Sequence, residues 1–183
     1  MTQMLLGHLR VEVVLTTTLD AAQRAAIVRL CTAAFAQDFG ALFDLVPATA
    51  SHMLVRLDDL LIGHAVWMPR WLQPGEQPPL RTAYVDAVAT LPAYQGYGIG
   101  GAMMRRLADQ IQDYDLGGLA TSRVAFYERL GWELWRGPLS ARTSQGSQRT
   151  PNEQVMILRL PQTPPHLDLD LPLSVEWRAG SVW

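Results

Sequence analysis

The stretch Gln95-Gly96-Tyr97-Gly98-Ile99-Gly100-Gly101 carries the strongest chemical signal in the chain. Glycine takes positive φ without steric cost, so clustered glycines turn several backbone N–H groups toward one point. A helix starting directly after them adds its first, unpartnered N–H groups and a partial positive charge. An anionic phosphate is the natural guest of such a cradle. No lysine follows the glycines, which excludes a P-loop; all 15 basic residues of the chain are arginine. Gly96, Gly98 and Gly101 also spell G-x-G-x-x-G, but several strands precede this one and no acid stands at the dinucleotide distance on a following strand. A glycine-rich turn with no ligand is the bland alternative. A second signal is Asp86, in the middle of an apolar strand, where a carboxylate is costly without a partner or a task.

The elements that must position these residues follow from periodicity. Leu9 to Leu15 alternates and predicts a half-buried strand with Leu9, Val11 and Val13 inward and Arg10 and Glu12 outward. Asp20, with Gln23 three residues on, predicts a capping box for a helix over 21–35, which contains Cys31 as a small buried side chain. Residues 37–50 read as irregular. Ser51 to Leu57 and Leu60 to Leu72 predict antiparallel strands about an Asp58-Asp59 turn, and Leu80 to Thr90 another strand. Ile99, Met103, Leu107 and Ile111 form the buried stripe of the helix after the glycines, with Arg105, Arg106, Asp109 and Gln112 facing away. A short strand over 116–120 follows, its Gly117-Gly118 allowing close backbone approach. A helix capped by Thr121 or Ser122 is expected to run to Leu130 and to stop at Gly131. Leu134 begins another strand, residues 137–152 read as a polar loop, and 154–160 as the last strand before a proline-interrupted tail. The order predicts one mixed α/β (α+β) domain spanning 1–183, with a mostly antiparallel sheet flanked by helices.

Composition narrows the function classes. The 183 residues are 49% hydrophobic and 17% charged, enough for a sizeable core and unlike a disordered chain. A net charge of −2 lacks the footprint of a general nucleic-acid binder. One cysteine excludes an internal disulfide framework and a cysteine-rich zinc site, and fits a reducing cytoplasm. No apolar run reaches the ~20 residues of a membrane span, and the first residues do not read as a secretion signal. His8, His52, His64 and His166 are scattered without metal-ligand spacing, so no metal is expected and each reads as a surface or satisfied core histidine.

Read from Gln95, the glycine loop spells Q-x-x-G-x-G and resembles the pyrophosphate loop of the GNAT superfamily of acyl-CoA-dependent N-acetyltransferases. Val85-Asp86-Ala87-Val88-Ala89 is similar to that family's strand before the loop, and Phe126-Tyr127-Glu128-Arg129-Leu130-Gly131-Trp132 to its later Y-x-x-x-G-F/W segment. The likeness narrows further. Ala34-Phe35-Ala36-Gln37-Asp38-Phe39, Tyr84-Val85-Asp86, Leu130-Gly131-Trp132, Arg149-Thr150-Pro151 and the segment from Trp177 to Trp183 resemble the aminoglycoside 2′-N-acetyltransferases, so the resemblance covers nearly the whole chain.

That resemblance implies acetyl-CoA as cosubstrate and a small aminoglycoside as acceptor, with no metal. The N–H of Val88 is then the donor to the thioester carbonyl, Ala89 and Thr90 line the pantetheine arm, and Gln95, Gly96, Tyr97, Gly98, Ile99, Gly100 and Gly101 wrap the pyrophosphate; Ser122 joins the cofactor site. Asp86 stands where relatives carry a glutamate base; the shorter side chain favours relay through a water. Tyr127 stands at the position of the acid that protonates the leaving sulfur. Strand pairing to an arginine is the structural alternative for Asp86, and plain packing for Tyr127.

The acceptor set implied by the resemblance is Asp38, Phe39, Asp44, Asp86, Glu153, Ser181 and Trp183. Ser181 replaces an aspartate of that set and Asp86 is shorter than the usual glutamate, so one negative charge is missing and another withdrawn. Each lost charged hydrogen bond is worth ~1.5–3 kcal/mol with a polycation. An acceptor with fewer amines loses less, which points to a kasugamycin-type sugar over kanamycin- or gentamicin-type drugs. Trp177 and Trp183 supply either sugar-stacking surfaces or core packing. The competing readings are a protein N-acetyltransferase and a non-catalytic acyl-CoA sensor. Relatives of this kind commonly pair through their sheets, which leaves a homodimer compatible with the resemblance.

Overall fold

The computed structural model describes residues 9–178 and 182–183. The chain divides into two compact units, residues 1–68 with 85–107, and residues 69–84 with 108–183. Both contain helices and strands, and the sheet carries parallel as well as antiparallel pairs, the α/β class expected from the sequence.

In the first unit, β1 (Leu9–Leu15) pairs antiparallel with β2 (Ser51–Leu57), from Leu9 opposite Leu57 to Leu15 opposite Ser51. β2 pairs antiparallel with β3 (Leu60–Pro74), with a bulge at Val55/Arg56. The hydrogen-bonded neighbour of β3 is β4 (Leu80–Thr90). Helix α1 (Ala21–Phe35) starts at the predicted box: Gln23 N–H donates to Asp20 Oδ1 at 2.7 Å, and Asp20 N–H to Gln23 Oε1 at 2.9 Å. The segment read as irregular contains a one-turn helix, α2 (Leu42–Leu45). Ile27, Leu30 and Cys31 of α1 pack on Leu54, Val66, Ala87 and Ala89 from the strands.

The face expected for β1 is inverted. Val11, Val13 and Leu15 are 44%, 42% and 47% exposed, whereas Val14 packs on the core and Glu12 is half-buried, paired with Arg56 at 3.2 Å. Successive strand side chains point to opposite faces, so seating Val14 in the core sends residues 11, 13 and 15 outward. With apolar residues at both parities over 13–15, alternation alone does not choose the face.

In the second unit, the 82–84 stretch of β4 runs parallel to β5 (Leu116–Ala120). A Cβ at Gly118 would stand 2.7 Å from Thr82 Cγ2, so the expected close approach requires a glycine there. β5 pairs antiparallel with β9 (Val155–Arg159), and β9 with β6 (Glu133–Leu134). The polar loop expected over 137–152 is instead a hairpin of β7 (Leu139–Thr143) and β8 (Gly146–Arg149), and the tail supplies a further strand, β10 (Leu173–Glu176). β10 runs parallel to β7 and antiparallel to the 72–74 stretch of β3. The polar residues of 140–143 and 146–149 pair through their backbones in a ladder whose buried apolar residues are only Leu139 and Ala141, which explains the miss. The expected helix to Leu130 is shorter: α4 (Val124–Glu128), with Arg123 at its N-cap and no side-chain cap; Thr121 Oγ1 accepts from the Arg123 N–H instead. No helix among the described residues is long and apolar enough to cross a membrane.

Two histidines are sealed in the first unit. His52 and His64 are fully buried, with His52 Nδ1 3.0 Å from His64 Nε2, His52 Nε2 2.9 Å from Thr16 Oγ1, and His64 Nδ1 3.0 Å from the Ala87 carbonyl. The reading of these two as satisfied core histidines holds. Burial, with Arg24 nearby, lowers the His52 pKa to about 4; burial, with His52 beside it, lowers that of His64 to about 3. Both are neutral when folded at neutral pH, and the unfolded chain binds protons below its ordinary value of 6.5 that the folded chain does not. Stability from this pair is therefore full above pH 6.5 and is lost as pH falls through about 4 and then about 3. The Tm of the wild type should drop over that window, and the drop should be shallower in a His52→Asn/His64→Asn variant; parallel curves would show that the pair is not the source.

Candidate active site

The glycine loop belongs to the first unit. β4 ends at Thr90, a 3₁₀ turn spans Pro92–Tyr94, and α3 (Ile99–Gln110) begins four residues later. The Leu91 N–H donates to the Ile62 carbonyl at 2.9 Å, fixing the exit from β4, and Gln95 Nε2 donates to the Thr90 carbonyl at 3.0 Å, closing the turn. Gly96 and Gly98 both stand at φ +82°, and a Cβ built on either meets nothing within 4 Å. The glycines are thus required by backbone conformation and open onto free space rather than packed against the chain. The α3 ladder starts with the Ala102 N–H to the Gly98 carbonyl at 3.0 Å, which leaves the preceding N–H groups of the turn for an outside acceptor. Met103, Met104, Leu107 and the following Ile111 are buried; Ile99 is only half-buried, and Arg105, Arg106, Asp109 and Gln112 are exposed as expected. An exposed arc of N–H groups at a helix start fits the diphosphate of an acyl-CoA.

In the strand before the loop, Val85, Ala87 and Ala89 are buried while Asp86, Val88 and Thr90 are half-buried on the other face. Ala87 takes φ +47°, a left-handed conformation that costs a non-glycine residue about 1–3 kcal/mol. Asp86 Oδ1 accepts from the Ala87 N–H at 2.8 Å. The Asp86 carboxylate also lies near Cys31: burial first, and Asp86 second, push that thiol up to about 12, which leaves it protonated and inert. Asp38 and Asp44 are exposed in this unit, Asp38 Oδ1 accepting from the Gly40 N–H at 2.8 Å. Phe39 is half-buried against the core and stacks on Phe35 at 5.0 Å.

Tyr127, Ser122, Glu153 and Trp183 lie in the second unit. Tyr127 is buried, edge-on to Phe126 and to Trp132, with ring centroids at 4.9 and 5.9 Å. Ser122 is exposed and makes no cap. Glu153 is exposed and lines a cavity of about 280 Å³ with Trp135, Arg149 and Thr150. Trp183 is 3% exposed, packs in the core with Leu72 and Tyr84, and donates from Nε1 to Thr150 Oγ1 at 2.7 Å; Trp177 is 54% exposed. The core-packing alternative therefore fits Trp183 and not Trp177. Ser181 and His8 fall outside the described residues.

Arg70 has no place in the sequence reading, which gives His52 and His64 only as surface or satisfied core histidines. Arg70 is buried, pairs through Nε with Glu176 Oε1 at 3.1 Å, donates to the carbonyls of Glu176 and Val182, and sits 4.9 Å over the Tyr84 ring. It ties the last residues to β3. Its signal was an arginine in the apolar run Met68-Pro69-Arg70-Trp71-Leu72. His52 and His64 each stand inside an apolar strand, and their mutual contact is not foreseen in the sequence. Among the described residues no cluster of three or more histidine, cysteine or acidic side chains is arranged to hold a metal ion.

Residues 17–135 match the family model described as an acetyltransferase (GNAT) domain. The chain belongs to the GNAT acetyltransferases. As a GNAT protein it is an acetyl-CoA-dependent N-acetyltransferase. It is 31% identical, over 92% of its own length and 89% of the relative's, to a Mycolicibacterium fortuitum protein named aminoglycoside 2′-N-acetyltransferase. Solved structures share the fold at lower identity. Escherichia coli ElaA matches 82% of this chain and 99% of its own (TM-score 0.60, 16% identity), and the E. coli ribosomal-protein-S18-alanine N-acetyltransferase matches 87% and 99% (TM-score 0.59, 17% identity).

A residue with a Cβ is strained at φ +82° whatever the surrounding space. Gly96→Ala and Gly98→Ala are therefore expected to weaken CoA binding by calorimetry about 10-fold each, from roughly 1–2 kcal/mol of backbone strain. Gly146→Ala, the same kind of change in β8, should leave it unaltered. Equal affinities in all three variants would remove the loop from the CoA site.

Proposed function

We propose that this GNAT enzyme acetylates the 2′-amine of an aminoglycoside, with a kasugamycin-type acceptor preferred. The observation that carries the reading is the likeness to the M. fortuitum enzyme along nearly the full length of both chains. Three exposed carboxylates support a cationic acceptor: no ion pair among the described residues engages Asp38, Asp44 or Glu153, so each is open to an ammonium group. The serine at 181 and the shortened carboxylate at 86 reduce the charge available to a sugar with many amines, and this favours an acceptor with few.

In this reading Asp86 accepts, through a water, the proton that the attacking nitrogen sheds as the C–N bond forms. The Val88 N–H holds the thioester oxygen as it gains charge. Tyr127 donates its phenolic proton to the sulfur as the C–S bond breaks, so one amide and one thiol leave for each amine and thioester that enter. Gln95 through Gly101 hold the diphosphate, and Ala89, Thr90 and Ser122 the rest of the cosubstrate. Asp38, Phe39 and Asp44 of the first unit are the proposed acceptor contacts there, and Glu153 that of the second; Trp183 packs in the core instead. Holding amine and thioester together supplies much of the rate even with a modest base.

Thiol release from acetyl-CoA, measured with kasugamycin, gentamicin, kanamycin and no acceptor, tests the substrate. The highest kcat/KM is expected with kasugamycin; activity confined to the kanamycin-type drugs would reverse the preference, and no activity on any would discard the aminoglycoside reading. Asp86→Ala should lower kcat about 100-fold, and Tyr127→Phe about 10–100-fold with CoA affinity kept. Wild-type rates in both across pH would remove the two roles.

A further inference from the structure

The left-handed residue in β4 is held from both sides of its own peptide groups. The Ala87 N–H is taken by Asp86 Oδ1 at 2.8 Å, and the Ala87 carbonyl faces His64 Nδ1 at 3.0 Å. A carbonyl accepts only, so the proton of that second contact must sit on His64 Nδ1. A neutral His64 then has a bare Nε2, which requires the proton of the 3.0 Å contact to sit on His52 Nδ1. A neutral His52 in turn has a bare Nε2, served by the hydroxyl of Thr16 at 2.9 Å. With the Ala87 carbonyl as the fixed acceptor the order runs Thr16 O–H to His52, His52 to His64, and His64 to Ala87, the Thr16 hydroxyl giving its proton to His52 rather than to the Ala50 carbonyl. The Ala50 carbonyl, 3.1 Å from Thr16 Oγ1, keeps the Thr16 N–H at 2.9 Å.

We infer that the buried chain Thr16–His52–His64 fixes the Ala87 carbonyl and thereby the bend of β4 that presents Asp86 and the Val88 N–H, making His64 a positioning residue for acetyl transfer. The inference rests on the roles proposed above for Asp86 and Val88. Without the His64 donor the Ala87 carbonyl loses that side-chain hydrogen bond, and the strained residue relaxes toward the extended conformation of its neighbours. Such a change swings the Asp86 side chain and the Val88 N–H, which flank it, and leaves the glycine loop untouched.

The surroundings keep the chain neutral. His52 is approached by the Arg24 guanidinium and the Phe43 ring at 5.8 Å, and Arg24 is held by the Thr16 and Leu19 carbonyls. His64 is approached by the Cys31 thiol at 3.7 Å, with Asp86 beyond it. A proton added at low pH lands on His52 Nε2, and the Thr16 hydroxyl turns to the Ala50 carbonyl; the link to Ala87 is retained.

The test pairs a spectroscopic and a kinetic readout on the full chain. Nitrogen-15 spectra of the imidazoles at pH 7 should show His52 and His64 both as Nδ1–H tautomers; an Nε2–H tautomer at His64 would overturn the inference whatever the enzyme acetylates. His64→Leu should lower kcat 10–100-fold while CoA affinity by calorimetry stays within about 3-fold, and His64→Asn, which keeps an amide N–H near the Nδ1 position, should recover most of the rate. A folded His64→Leu protein with wild-type kcat would overturn the positioning role. Should His64→Leu fail to fold, Thr16→Val is the second variant: mixed tautomers and a kcat reduced several-fold are expected, and unchanged tautomers with unchanged kcat would contradict the inference. Wild-type protein that shows the expected tautomers and no transfer to any amine would instead fault the proposed chemistry.

Discussion

An α-helix leaves its first N–H groups without carbonyl partners, and in this chain the turn that holds them follows two left-handed glycines that face open space. Three sets of contacts in the first unit keep that turn in place. The Leu91 N–H is tied to β3, the Gln95 side chain closes back on Thr90, and Met103, Met104 and Leu107 anchor α3 in the core. An anion is the partner that such an arc lacks. The loop is useful only if the strand that leads into it delivers the reacting end of the bound molecule to the right groups, and β4 carries Asp86 and Val88 on its less buried face.

β4 does so from a strained conformation. A buried alanine at φ +47° survives because its N–H, its carbonyl and its methyl group are each held: by Asp86, by His64 and by the core around Ile27 and Cys31. The burial that makes the histidine pair costly to charge keeps both rings neutral, and the Ala87 carbonyl, which only accepts, then selects one order of protons along the pair. The second unit solves a different problem with one cation. Arg70, buried beneath Tyr84, gathers Glu176 and the Val182 carbonyl, so the final tryptophan packs as core and reaches Thr150.

Much of this was legible in the residues. Gln95 to Gly101, the capping box at Asp20, the α3 stripe and the glycine pair in β5 follow from local rules of conformation and period, and the structure has them where the sequence puts them. The face of β1 was not legible because apolar residues occupy both parities near its end, and the core chose Val14. The β7–β8 hairpin was hidden because its strands are exposed and polar, leaving too little alternation to set it apart from a loop. Arg70 and the two histidines were visible as polar residues within apolar strands, but what satisfies them lies on other elements, from the next strand to the far end of the chain, beyond the reach of spacing. The identity at 181 was plain in the sequence, and its consequence for the acceptor is a matter of charge rather than of fold.

The central claim is that backbone N–H groups between Gln95 and Ala102 hold the diphosphate of the cosubstrate. Calorimetric titration of the intact protein with CoA and, separately, with pantetheine, which lacks the diphosphate, tests it most directly. The account predicts measurable CoA binding and at least 100-fold weaker pantetheine binding, the loss of about two charge-assisted hydrogen bonds. Equal affinities for the two, or no binding of CoA by folded protein, would contradict it.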